Sequence, residues 1–116
     1  MITLAAIDQF FGQIWNKFEE TDNRPKDGMI SGKEVKNVVR RDAGKPCYGY
    51  SELVKDVFLE AGGGGAVEVK VTDCKKKLDS IKKCVIEAVE QNKQPEGYAA
   101  SKIWSALGFL DGYDRG

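Results

Sequence analysis

The sequence predicts a mainly α fold: two helix–loop–helix units with a short two-stranded antiparallel sheet between their loops, plus an extra C-terminal helix. Three observations carry this reading. Five stretches space their apolar residues at the helical period. The first two flank an acidic turn, Thr21 to Glu34, in which Asp27-Gly28 is followed by Ile30. The third and fourth flank four consecutive glycines, Gly62 to Gly65, and an alternating segment, Ala66-Val67-Glu68-Val69-Lys70-Val71.

Taken in order, Ile7, Phe10, Phe11, Ile14, Trp15 and Phe18 follow the i, i+3, i+4, i+7 pattern, which predicts a helix from Leu4 to Glu20. So many aromatic residues on one face mark it as a core element rather than a ligand box. Ser31-Gly32-Lys33-Glu34 is a capping box for the next helix. That helix has a narrow face of Val35, Val38 and Val39 and ends at Gly44 and Pro46. Lys33, Lys36, Arg40 and Arg41 are expected to form a solvated face. Lys45 to Tyr50 reads as a linker, with Ser51 as the cap of a third helix bearing Leu53, Val54, Val57, Phe58 and Ala61 and stopping at Gly62.

The glycine run is not a phosphate cradle: it follows a helix, and no Lys-Ser/Thr enters a helix behind it. Val67 to Val71 alternates as a half-buried strand does, and Met29-Ile30-Ser31 is its expected partner. A fourth helix, from Thr72 or Asp73 to Gln91, carries Cys74, Leu78, Ile81, Val85, Ala88 and Val89 on one face. Its lysines, Lys75, Lys76, Lys77, Lys82 and Lys83, lack interleaved aromatics and read as a solvated face. Gln91 to Pro95 is a polar break before a fifth helix, Glu96 to Leu107, with Tyr98, Ala99, Ile103, Trp104 and Leu107. The tail after Gly108 is expected to be frayed.

The 116 residues suit one domain, with the paired units over 4–91, the additional helix over 96–108 and the tail over 109–116. Lys plus Arg equal Asp plus Glu at 18 each, so no global field draws the chain to nucleic acid or an anionic membrane. No apolar run approaches the roughly 20 residues that span a bilayer. The start, MITLAAIDQFF, lacks the basic and apolar regions of a signal peptide. The expectation is a soluble, cytoplasmic protein. Cys47, Cys74 and Cys84 leave one thiol unpaired in any monomeric scheme, and Cys74 and Cys84 on one helix lie about 15 Å apart, too far to bridge. All three read as small core residues. The absence of His removes Ser-His-Asp and Cys-His catalysis and the commonest zinc ligand. Cys47, beside Tyr48 and Tyr50, has no evident base. An enzyme is therefore not expected.

With helical patterns on both sides, Asp27-Gly28-Met29-Ile30-Ser31 and Glu34 resemble the loop of an EF-hand protein, and the likeness extends over roughly Leu4 to Val89. Calcium loops need a sharp glycine turn at the sixth position and a bidentate Glu at the twelfth; Gly28 and Glu34 match these. The same register puts Asn23 first and Pro25 third, where Pro has no side-chain oxygen. Counted from Thr21 the loop has fourteen residues, similar to the variant first loop of small dimeric two-EF-hand proteins, in which backbone carbonyls replace several carboxylates. The resemblance thus implies at most one weak calcium site, with Asp22, Asn23, Asp27 and Glu34 as side-chain ligands and Met29 through its carbonyl. In the second loop only Asp73 stands at an acidic ligand position, so that loop would complete the sheet without calcium.

The resemblance implies an EF-hand-like domain that binds or regulates another protein, often by opening an apolar groove. Ile103, Trp104 and Leu107 have the spacing of a helix lying in such a groove, so the fifth helix is expected to fill the chain's own. The alternative is a metal-independent helical interaction protein of adaptor or immunity type, built on the same architecture. A small enzyme comes third.

Overall fold

The computed structural model describes residues 2–23, 26–46 and 48–115, with the side chains of Tyr48 and 109–115 outside that set. The expectations placed on Pro25 and Cys47 lie outside the described residues. The protein is mainly helical, with a two-stranded antiparallel sheet between helices. Its elements run α1 (Leu4–Thr21), β1 (Met29–Ile30), α2 (Gly32–Asp42), α3 (Tyr48–Glu60), β2 (Val69–Lys70), α4 (Val71–Glu90) and α5 (Tyr98–Arg115).

The first unit forms as its caps and apolar stripe dictate. Thr3 begins α1, its Oγ1 accepting from the Ala6 amide at 3.1 Å. One stripe of α1, from Ile7 to Phe18, is buried. The capping box of α2 is complete, with Ser31 and Glu34 each accepting from the other's amide. Gly44 takes φ +80° just beyond α2, a left-handed conformation that glycine adopts without strain.

The loops of the two units meet in the sheet. Met29 lies opposite Lys70 and Ile30 opposite Val69, and the Val71 amide extends the ladder to the Gly28 carbonyl at 2.8 Å. Ile30 is fully buried and Val69 nearly so, which ties the sheet to the core between the helices. Around it, α1 packs chiefly on α4 and α2 on α3, while α5 lies across α3 and α4. One cluster runs from Ile7 and Phe18 through Val54, Val57 and Phe58 to Leu78, Val85 and Ile103.

Several boundaries differ from the sequence expectation, each for a local reason. The third helix starts at Tyr48, so the linker is shorter and Ser51 is not its cap. The Ser51 hydroxyl is wholly buried and donates to Asp42 Oδ2 instead. The second strand is two residues long rather than five. Left-handed backbone at Gly62, Gly64 and Gly65 folds the glycine run into a tight reversal, with Gly64 and Val67 bonded to each other, and leaves Val67 exposed. Helix α5 continues to Arg115 rather than ending at Gly108, which shows no positive φ.

Burial also redistributes some residues. Trp104 is partly buried and outside the core cluster; Ala99, Ala100, Ile103 and Leu107 form the face by which α5 docks. Cys74 is buried as expected, and burial pushes its thiol up to about 11. Cys84 is exposed, one step off the stripe of Leu78, Ile81, Val85 and Ala88. The lysines of α4 are not all solvated: Lys75 pairs with Glu19 and lies over the Trp15 ring at 4.4 Å, and Lys82 pairs with Asp8 at 2.8 Å. They fasten α4 to α1. No helix among the described residues is long and apolar enough to cross a membrane.

Candidate functional site

The first loop gathers Asp22, Asn23, Asp27, Met29 and Glu34 between the end of α1 and the start of α2, and its geometry follows from unpaired amides. The turn at Gly28, φ +80°, points several backbone N–H groups inward. Asp22 is buried and closes on them, Oδ1 accepting from the Asp27 amide at 3.2 Å and Oδ2 from Gly28 at 2.9 Å. Glu34, also buried, reaches across the loop: Oε2 accepts from the Asn23 amide at 3.0 Å, and Oε1 from the Ser31 amide at 3.1 Å and its hydroxyl at 3.2 Å. The Asp27 carboxylate accepts from the Met29 amide at 3.0 Å in an Asx turn.

These residues therefore share one loop, with Asn23 and Asp27 at its surface and Met29 in β1. Both oxygens of Asp22 and of Glu34 are occupied by protein donors. Among the described residues no three His, Cys, Asp or Glu side chains form a group that could hold a metal. A cation entering here would compete with these hydrogen bonds, each worth about 1 kcal/mol or more when the acceptor is charged.

A second polar centre lies where α1, α2 and α3 meet. Asp42 ends α2, where the helix dipole disfavours an anion. Its buried carboxylate is compensated by Arg41 Nε at 3.0 Å, by the Ser51 hydroxyl and by Lys17 Nζ at 2.9 Å. The Arg41 guanidinium, with Ser51 and Lys17, holds Asp42 well below the usual carboxylate range despite its burial. Burial opposes the charge on Lys17, but its bonds to Asp42 and Glu20 outweigh this and raise its pKa. Arg41, expected on a solvated face, thus spans Asp42 and Glu20. The sequence signal for this centre was an Asp in the last turn of a helix, where a cation is the ordinary choice.

The start of α5 is held by polar contacts as well as by its apolar face. Glu60 accepts from the Ala99 amide at 3.0 Å, which satisfies one otherwise open N–H at the helix start. Lys102 donates to the buried Asp56 at 2.7 Å.

A further feature is an open groove of about 350 Å³ between α2 and α3. It is lined by the buried Val35 and Phe58, by Val39 and Leu59, and by Gly64 and Gly65. The glycines there pack closely: a Cβ on Gly32 would sit 3.3 Å from the Gly65 carbonyl oxygen, and one on Gly63 would strike the Phe58 ring at 2.3 Å. Leu59 is 50% exposed despite its size. Sequence reasoning did not single out this groove, because Leu59 is out of phase with the buried stripe and the glycine run was read as a loop leading to a strand. Set against known proteins, the chain matches no family model, no curated protein and no solved structure.

Proposed function

We propose that this chain is a cytoplasmic helical domain that binds another protein and does so without calcium. The observation that carries the reading is the groove between α2 and α3, which is lined by apolar side chains and keeps the half-exposed Leu59 open to solvent, while α5 packs on α3 and α4. A concave apolar site with a few polar groups at its edge is the usual form of a recognition site. Calcium independence is supported by the first loop, whose two buried carboxylates are spent on backbone amides. The free thiols of Cys74 and Cys84 suit a reducing compartment.

Selection of a random peptide display library on the full chain, run in parallel in EDTA and in about 1 mM calcium, tests both parts. The expected result is one family of enriched peptides common to both conditions. Enrichment only in calcium, abolished by Glu34→Gln, would replace this reading with the calcium-regulated one. No enrichment in either condition would remove protein binding itself.

A further inference from the structure

We infer that the α2–α3 groove receives an acidic segment of a partner protein, anchored by one or two large apolar side chains. The inference rests on the protein-binding reading above and adds the chemistry of the partner. The groove is lined by three cations, Lys36 and Arg40 on α2 and Lys55 on α3, and by no carboxylate. In a chain whose charges balance at 18 of each sign, that is a local excess of one sign around an apolar slot. Lys36 and Arg40 stand four residues apart, so they share one edge of α2. Neither makes an ion pair among the described residues, and Lys55 has a long contact to Glu52 at 3.7 Å. The neighbouring Arg41 is by contrast engaged with Asp42 and Glu20. Lys36 and Arg40 therefore serve no ion pair among the described residues, and their field is available to carboxylates arriving from outside.

Size and shape choose the class of partner. A volume of about 350 Å³ lies at the small end of ligand sites. It admits one or two side chains, such as Leu or Phe, rather than a whole helix. Val39 and Leu59 line it with Gly64 and Gly65, and a concave apolar slot suits an inserted side chain better than a flat anionic membrane. Apolar anchoring at the centre with charged groups at the rim is the common division of labour in protein recognition.

The test uses three fluorescein-labelled synthetic peptides on the full chain. One has a central Leu-Phe pair flanked by Asp and Glu; the second replaces the acids by Lys; the third replaces Leu-Phe by Ala-Ala. The acidic apolar peptide is expected to bind at least about tenfold more tightly than either twin, with affinity falling as salt rises. Lys36→Glu/Arg40→Glu and Leu59→Ser, all on exposed positions, are expected to weaken it by about tenfold each while leaving the thermal midpoint of the chain close to that of the parent. Equal binding of the acidic and Lys peptides, or indifference to both variants, would overturn the inference. Binding of phosphatidylserine vesicles that depends on Lys36 and Arg40, in place of peptide binding, would overturn it too. If the library selection meanwhile yields peptides of another composition, protein binding stands and only this partner chemistry falls; if it yields none, both fall.

Discussion

Replacing Asp42 by Asn tests the polar centre that joins the first three helices. The side chain keeps its shape, but its charge is lost and its amide turns N–H donors toward groups that are themselves donors. Lys17, which is 8% exposed, then keeps only Glu20, at 3.2 Å on the solvent side. Removing one partner of a buried ion pair costs about 3 to 5 kcal/mol, because the other charge stays buried. Arg41 can turn to water and Glu20 persists, so the lower end applies, about 3 kcal/mol. For a chain of 116 residues, an unfolding entropy of about 2.1 cal/mol/K per residue makes this a drop in melting temperature of about 12 °C. Urea unfolding followed by circular dichroism should show a lower midpoint with an unchanged slope. The pH dependence gives an independent check. The folded pKa of Asp42 is depressed, so the native state favours its ionised form. The resulting stability is fully present above the ordinary Asp pKa of about 3.9 and is lost as pH falls toward the folded value. The gap between parent and Asp42→Asn should therefore be widest near neutrality and shrink steadily below about pH 4. A gap under about 1 kcal/mol at pH 7, or one that does not change with pH, would refute the assignment of Asp42 as the ionised hub.

Two further predictions separate the buried from the exposed parts of the chain. Ile103 is fully buried where α5 meets the core, so Ile103→Ala should cost about 3 kcal/mol in urea unfolding, whereas Trp104→Ala, outside the core cluster, should cost clearly less; the reverse order would mean that α5 docks by its other face. Gly63→Ala should destabilise by about 1 to 3 kcal/mol, since the new methyl would meet the Phe58 ring at 2.3 Å, and a neutral result would show that the glycine turn is not seated on that ring.

The fold was legible largely because its local and long-range signals agree. The stripe from Ile7 to Phe18 leaves one way to bury its aromatics, and the Ser31/Glu34 box starts α2 wherever that helix lies. Met29-Ile30 and Val69 were recognisable as partners because both are short apolar segments inside loops, and both end up against the core. The candidate site was legible only in part. Asp22, Asn23, Asp27, Met29 and Glu34 do share a loop, but their spacing alone does not tell whether a carboxylate faces inward to a cation or turns to the amides beside it. Here Asp22 and Glu34 turn to the amides.

Helical period, caps and glycine breaks are local properties, so the sequence by itself determined the number, kind and order of the elements, and the alternation at Val69 told which side of the second strand goes inward. Tertiary packing decided the rest. It placed Asp42, Lys17 and Ser51 in one buried centre although they come from three helices, chose Ile103 over Trp104 as the anchor of α5, and set Leu59 beside Lys36 and Arg40. Each of these depends on the distance and angle between helices, which arise only when the whole core closes at once and so are written in no single segment of the chain.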